Sequence, residues 1–183
     1  DLIAPHVIGE VFFEDVELTD ADRLGEPGKG LEAALGTLAI FRVSVGAAAI
    51  GLAEAALKTA VKHTQERQNK GKPLARIGAV ASLLADAKVD LEQARWVTYH
   101  AAWSARQDPM AAISATSLAK IAATEAADRI TDRCVQVMGR FGLIAGSDIE
   151  RYAREARPMR IYEGANEVLR LTVARDLPGE YLA

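Results

Sequence analysis

Cysteine, histidine and aromatic residues are scarce in this chain, and their scarcity excludes several kinds of site. Of 183 residues, one is cysteine, three are histidine and 5% are aromatic. The single cysteine, Cys134, rules out an internal disulfide and suits a reducing compartment. His63 and His100 show no metal-ligand spacing to cysteines or carboxylates, so no metal site is predicted. Trp96 and Trp103 fall on one predicted helix, where we expect them in the core or in an interface.

Export and membrane signals are also missing, and we expect a cytoplasmic protein. No basic segment precedes an apolar one, and a start at Asp1 without methionine suggests a fragment or a processed chain. Residues 33–53 are long enough to span a bilayer. Arg42 would lie at mid-span, where insertion costs about 2.5 to 3.5 kcal/mol. We therefore predict no membrane span, and the net charge of −3 gives no indication of a nucleic-acid partner.

What the chain does contain is alanine and leucine at helical spacing between glycine and proline breaks, which predicts an all-α fold. Three long helices are expected at residues 29–67, 75–106 and 109–138, each roughly 45 Å long at about 1.5 Å per residue. Two short helices are expected at residues 149–156 and 164–177. These lengths favour an antiparallel four-helix-type bundle of long helices plus short C-terminal helices, in which alanine permits close contact.

The N-terminal segment has a different pattern. In residues 7–18, Phe12 and Phe13 stand among acidic residues, which predicts a β-strand arm. One strand cannot satisfy its own backbone hydrogen bonds, so its partners must lie elsewhere. We therefore expect residues 1–28 to be the end of a β-rich domain with its linker, and residues 29–183 to be the helical bundle.

One carboxylate, Glu163, stands between an aromatic ring and a glycine just before the last predicted helix. Burial beside Ile161 and Tyr162 would desolvate the carboxylate partly and make it a stronger base. Gly164 would let a ligand approach the backbone closely. Taken alone, the same carboxylate would more simply favour the N-terminus of a helix. The other segments of the chain help to decide whether Glu163 is a base or a favourable charge at a helix N-terminus.

Five segments, in order along the chain, resemble the C-terminal helical domain of the acyl-CoA dehydrogenase family. They are residues 9–16 with 24–30; Arg42 with residues 47–53, 66–67 and 71–74; residues 94–95 with 101–103; residues 136–139 with 141–142; and residues 161–164 with 166–168 and 174–175. The segment around Glu163 is the most specific. The resemblance covers nearly the whole chain.

The resemblance implies a flavoenzyme that oxidises an acyl-CoA to the trans-2-enoyl-CoA. Glu163 matches the catalytic base that removes the α-proton while hydride leaves the β-carbon for FAD, and its backbone N–H would be a donor to the developing enolate oxygen. In some members the base precedes the arginine matched by Arg42, but here that residue is Phe41, which accepts no proton. Arg42, Tyr162 and Gly164 are assigned to substrate binding. For Arg42 a structural salt bridge is an equal alternative.

Four cofactor contacts follow from the same resemblance. Arg67 matches an arginine that reaches the FAD pyrophosphate of a neighbouring subunit, since a planar fork of donors suits phosphate oxygens. Gln136 and Gly139 match contacts to the same FAD. Asn69 replaces a threonine or serine and still offers a hydrogen-bond donor. Without the resemblance, Arg67 is a solvated cation at a helix end.

Two more cofactor positions, Ala165 and Glu167, open the last helix, and Ala165 replaces a threonine that hydrogen-bonds the flavin nucleotide. Lys70, Gly78 and Arg140 also depart from the family pattern. Either the new cations pair with the pyrophosphate, or the chain is a subunit of a hetero-oligomer in which only some interfaces keep FAD.

The expected partners of the chain follow from the same resemblance. The resemblance implies an electron-transferring flavoprotein as electron acceptor and a homo- or hetero-tetramer built through the bundle. Three alternatives stay open: a cofactor-poor structural subunit, a related flavin-dependent oxidase, and a related monooxygenase.

Overall fold

The structure is a computed structural model that describes residues 2–4 and 7–182. Its helices are α1 (Gly30–Glu66), α2 (Gly78–Gln107), α3 (Ile113–Met138), α4 (Asp148–Met159) and α5 (Asn166–Tyr181). The prediction of an all-α fold with three long and two short helices is confirmed. The division of the chain at residue 28 stays a prediction.

A small hairpin joins α1 to α2. Its strands are β1 (Gln68–Asn69) and β2 (Lys72–Pro73), which pair antiparallel. The two residues of the turn, Lys70 and Gly71, have φ angles of +50° and +79°, as a type I′ turn requires. The exposed Lys70 therefore stands at the tip of the hairpin. Sequence periodicity predicted the end of α1 correctly but not this hairpin.

The second and third long helices begin three to four residues later than predicted. Before α2, Leu74–Arg76 forms one turn of 3₁₀ helix. Before α3, the Asp108 carboxylate accepts hydrogen bonds from the backbone N–H groups of Met110 and Ala111, at 2.9 and 3.1 Å. This local turn competes with the helix over its first residues. The start of α3 at Ile113 follows from it.

The core is built largely from alanine. α3 lies at its centre and contacts α1, α2, α4 and α5. Ala49, Ala56, Ala60, Ala119 and Ala127 are fully buried. Small side chains let the helix backbones approach closely, and van der Waals contact then extends along the whole interface.

α1 meets the length and composition criteria for a membrane span, with a mean hydropathy of 1.8 in its most apolar window. In the fold, however, α1 packs along α2 and α3 and also contacts α4. Its one charge in the apolar stretch, Arg42, is 7% exposed. One face of α1 is thus part of the bundle core, while Ile40 and Phe41 are exposed.

Two expectations about apolar side chains differ from the structure. Residues 7–18 form no strand, because no other segment in the described ranges pairs with them, and Phe12 and Phe13 are exposed. Trp96 and Trp103 are also exposed on α2, so they do not lie in the core, and the alternative expectation of an interface stays a prediction. Periodicity alone does not say which face of an alanine-rich helix is covered.

Candidate active site

The predicted base lies on the short turn between α4 and α5. α4 ends at Met159, and the N–H groups of Ile161 and Tyr162 both donate to the carbonyl of Pro158. The N–H of Asn166 then donates to the carbonyl of Arg160 at 3.1 Å. These bonds close a loop of five residues, which presents Glu163 at the start of α5.

The backbone of this loop is strained at Glu163. Its φ is +55°, and that of Gly164 is +97°. A residue with a side chain adopts such a conformation at a cost of roughly 1 to 3 kcal/mol, and it persists only where the surroundings hold it. At Gly164 a Cβ would stand 3.0 Å from Cδ2 of Leu169. Glycine is therefore required here by the turn and its packing.

Two buried cations, Arg42 on α1 and Lys120 on α3, bind carbonyl groups of this turn. Arg42 on α1 donates from Nε to the carbonyl of Glu163 at 3.4 Å and from Nη1 to Oγ of Ser117 at 3.3 Å. Lys120 on α3 donates from Nζ to the carbonyl of Gly164 at 2.9 Å. Two consecutive carbonyl oxygens are thus bound by cations from two different helices.

The salt-bridge alternative for Arg42 is not realised within the described chain. The acceptors of its guanidinium are a backbone carbonyl and a hydroxyl, and no carboxylate of the described residues lies within 4.0 Å. Burial lowers the pKa of Arg42, and the negative charge of Glu163 opposes this effect. Arg42 thus contacts Ser117 and the turn that carries Glu163, and its assignment to substrate binding stays a prediction.

Lys120 was missed by sequence reasoning. It is fully buried, and burial together with the positive charge of Arg42 lowers the pKa of its ammonium group to about 8. The signal in the sequence was the polar series Ser117, Lys120 and Thr124, which repeats at intervals of three and four residues on the apolar face of α3. Such spacing places all three on one side of a helix.

Asn166, the first residue of α5, bonds to two residues of α3, Lys120 and Thr124. Its Oδ1 accepts from Nζ of Lys120 at 2.8 Å, and its Nδ2 donates to Oγ1 of Thr124 at 3.0 Å. Asn166 is fully buried. An ion pair between Arg170 and Glu125 adds a second link from α5 to α3. The start of α5, and with it the turn, is therefore tied to the central helix.

Glu163 itself is half-buried beside Tyr162. Burial raises the pKa of the Tyr162 hydroxyl, and the nearby charge of Glu163 raises it further. Within the described residues, no acceptor is found for the backbone N–H of Glu163. The turn therefore offers one carboxylate and one unpaired backbone donor at the same residue.

The predicted cofactor residues fall into two groups. Ala165 and Glu167 stand next to Glu163. Arg67, Asn69, Gln136 and Gly139 gather at the other end of α3 and are all exposed. Thr124 lies near the turn, and Gln136 belongs to the second group. They are twelve residues apart on α3, which is about 18 Å of helix. One ligand would have to be extended, or be shared between two copies of the chain, to contact both groups.

At the far end of α3, two arginines flank one aromatic ring. The guanidinium carbons of Arg67 and Arg140 lie 5.8 and 4.7 Å from the ring centroid of Phe141. Among the described residues, neither arginine has a carboxylate within 4.0 Å. Gly139 ends α3 with a φ of +58°, and a Cβ there would meet no atom within 4 Å. Two oriented cations beside an open backbone suit a diphosphate.

Ala165 occupies the N-cap position of α5 without a side-chain hydrogen bond. Ala165→Thr should add an acceptor for the N–H of Glu167, which has none among the described residues, and raise the free energy of unfolding by about 0.5 to 2 kcal/mol. Denaturant unfolding measures this change. Ala174→Thr, on the exposed side of α5, is the control and should cost roughly 0.5 kcal/mol in helix propensity. A less stable Ala165→Thr variant would contradict the prediction.

Fold and site together define an all-α bundle domain in which buried cations hold a carboxylate-bearing turn. A family model described as "Acyl-CoA dehydrogenase, C-terminal domain" matches residues 28–177. The chain belongs to the acyl-CoA dehydrogenase family.

Individual relatives agree with this assignment. The mitochondrial short-chain specific acyl-CoA dehydrogenase of Sus scrofa is 36% identical over 171 residues, which are 93% of this chain and 41% of that protein. The butyryl-CoA dehydrogenase structure from Megasphaera elsdenii superposes with a TM-score of 0.84 at 36% identity, over 90% of this chain and 43% of that one. A prolyl acyl carrier protein oxidase has a TM-score of 0.83 at 27% identity, over 90% and 43%. The chain spans about two fifths of the length of these proteins.

Proposed function

We propose that this chain is the base-carrying, C-terminal part of an FAD-dependent acyl-CoA dehydrogenase, which converts an acyl-CoA to the trans-2-enoyl-CoA. The observation that supports this most directly is the left-handed turn at Glu163, held over Arg42 and Lys120. Strain of this kind persists where a reactive group has to be held in one place. Glu163 is the carboxylate that the turn presents.

Glu163 is the proposed general base for the α-proton of the thioester. An α-proton of a thioester is weakly acidic, so the base has to lie within hydrogen-bonding distance and the enolate oxygen needs donors. The N–H of Glu163 supplies one such donor. Tyr162 and Gly164 are the proposed neighbours of the acyl chain. At 7% exposure, Arg42 contributes to substrate binding chiefly through the turn that it holds.

The residues present fit FAD. When bound, FAD supplies the acceptor for the hydride that leaves the β-carbon. Arg67, together with Arg140, is the proposed partner of the pyrophosphate, and the amides of Asn69 and Gln136 add donors nearby. By resemblance, Arg140 replaces a second glycine that follows Gly139 in the family. Its guanidinium is already oriented on Phe141, so in this arrangement it adds a cation to the pyrophosphate site.

Arg67→Ala tests the cofactor site. Loss of a charged hydrogen bond of about 1.5 to 3 kcal/mol should weaken FAD binding roughly 10- to 150-fold, while unfolding changes little because Arg67 is exposed. FAD titration of the apoprotein by fluorescence measures the dissociation constant. Arg175→Ala, on the exposed side of α5, is the control. Unchanged FAD affinity in Arg67→Ala would make Arg67 a solvated helix-end cation.

The proposed activity is tested with the gene's full-length product. Its visible spectrum is recorded before and after anaerobic addition of a panel of acyl-CoAs. Bleaching of the flavin band by one of them is the expected result, and the substrate that reacts fastest defines the acyl pocket. A colourless protein that does not take up added FAD would instead indicate a cofactor-poor subunit that needs a partner chain.

The proposal extends to partners and location. An electron-transferring flavoprotein is the proposed electron acceptor, and a homo- or hetero-tetramer is the proposed assembly. The reducing interior of a cell or organelle, the cytoplasm in a bacterium, is the proposed compartment, which suits the single buried thiol of Cys134.

A second candidate, an oxidase, is favoured by the structural similarity to the prolyl acyl carrier protein oxidase. The two functions differ in how the reduced flavin reacts with oxygen. Mixing the substrate-reduced protein with aerated buffer separates them, because an oxidase regains its flavin colour rapidly and a dehydrogenase does so slowly.

A further inference from the structure

Lys120 is the largest fully buried side chain in the described part of the molecule. Burial of a charge is costly unless hydrogen bonds and opposite charges compensate for it. Yet its two acceptors, the Gly164 carbonyl and Oδ1 of Asn166, are neutral, and no described carboxylate lies within 4.0 Å. Packing alone would be served by methionine or leucine at this position.

The two acceptors of Lys120 lie on either side of the link between the turn and α5. The Gly164 carbonyl belongs to the turn, whereas Asn166 begins the helix. Arg42 binds the preceding carbonyl, that of Glu163. The two consecutive peptide groups that follow Glu163 are therefore both held by buried cations. The C=O and N–H of a trans peptide point in opposite directions. The N–H groups of Gly164 and Ala165 therefore point away from the cations.

The charges around Lys120 come from several elements. Arg42 on α1 and Arg160 after α4 repel its ammonium group, while Glu163 on the turn and Glu167 on α5 attract it. Glu163 is therefore linked to Lys120 in two ways, through the backbone that Lys120 holds and through its charge.

We propose that Lys120 is a positioning residue for the reaction, which fixes the Glu163 to Ala165 backbone and so holds the Glu163 carboxylate in its reactive place. This inference rests on the proposed function of Glu163 as the base. Lys120 does not touch the substrate in this proposal, and it acts through the Gly164 carbonyl and Asn166.

Lys120→Met in the full-length holoprotein is the main test. Methionine has a similar volume without the charge or the donors. In anaerobic single-turnover mixing with the best acyl-CoA, the limiting rate of flavin reduction should fall roughly ten- to a hundredfold, because a base displaced by about 1 Å loses reactivity on that scale. The half-saturating acyl-CoA concentration should change less than about threefold, since only the transition state needs the exact position of the base.

A matched control and a second variant make the result decisive. Lys88→Met removes an exposed lysine that pairs with Glu92 on α2 and should leave both parameters unchanged. Lys120→Gln retains an N–H donor on a shorter side chain and should lie between wild type and Lys120→Met in its limiting rate. A limiting rate within twofold of wild type for Lys120→Met overturns the proposal. Failure of both Lys120 variants to fold would assign Lys120 to folding alone and would also overturn it.

Hydrogen exchange separates this proposal from the proposed function. In Lys120→Met, amides of residues 161–167 should exchange roughly tenfold faster than in wild type, because the turn opens locally more often, while those of α2 keep their rates. If wild type shows no flavin reduction with any acyl-CoA, the proposed function fails whatever the exchange shows. If exchange at the turn is unchanged, Lys120 does not hold it, and the positioning role fails even when wild type is active.

Discussion

Glu163→Gln is expected to reduce the rate of flavin reduction by acyl-CoA roughly a hundredfold to ten-thousandfold, the contribution of a positioned general base. The amide has nearly the same shape as the carboxylate but does not accept the α-proton. The carbonyl of residue 163 still accepts from Arg42, so the backbone contact below the turn is retained. Rapid mixing under anaerobic conditions measures the reduction rate.

The control for Glu163→Gln is Glu180→Gln, which makes the same chemical change at an exposed position near the end of α5 and should leave the rate unchanged. FAD content and thermal unfolding of both variants should match wild type. Equal reduction rates in Glu163→Gln and wild type would remove Glu163 from the mechanism. The carboxylate would then be no more than a favourable charge near the N-terminus of α5.

Leu169→Ala should lower the free energy of unfolding by about 2 to 5 kcal/mol, as expected when a buried leucine is truncated in a packed core. Leu169 is 1% exposed and lies one turn into α5. Its Cδ2 approaches Gly164 so closely that a Cβ there would be only 3.0 Å away. The cavity would therefore open directly beside the turn that carries Glu163. Denaturant unfolding followed by circular dichroism measures the stability loss.

Leu171→Ala provides the matched comparison for Leu169→Ala, because Leu171 is 66% exposed on the same helix. It should change stability by less than about 0.5 kcal/mol. Equal unfolding midpoints for the two variants would mean that α5 is not docked through Leu169. A further consequence of docking is that Leu169→Ala should also slow flavin reduction, since the turn loses part of its support.

Helices could be predicted well because their signal is local. The apolar periodicity of α1 and the glycine and proline breaks around α4 depend on neighbours within a few residues. Residues 7–18 form no strand, since a strand requires a partner and no segment in the described ranges pairs with them; we expected that partner to lie elsewhere. The delayed start of α3 depends on the Asp108 side chain, which periodicity ignores. The late start of α2 has another cause, the turn of 3₁₀ helix at Leu74–Arg76.

Part of the candidate site could also be predicted. Glu163 was found from its local sequence, and Arg42 stood out as the one charge in an apolar stretch. The roles assigned to both stay proposals. Lys120 and Asn166 were missed, because a lysine within a helix and an asparagine at its start look ordinary without knowledge of what lies opposite.

The sequence by itself determined the helices, their breaks and the carboxylate that stands between Tyr162 and Gly164, because each depends on residues adjacent along the chain. Only the tertiary structure decided which side chains bind the turn that carries this carboxylate. Arg42 is 121 residues from Glu163, and Lys120 is 44 residues from Gly164. Contacts at such separations arise from the packing of α1 and the turn against α3. The physical reason is that a buried cation requires hydrogen-bond acceptors. Which acceptors lie next to it depends on the packing of the whole fold.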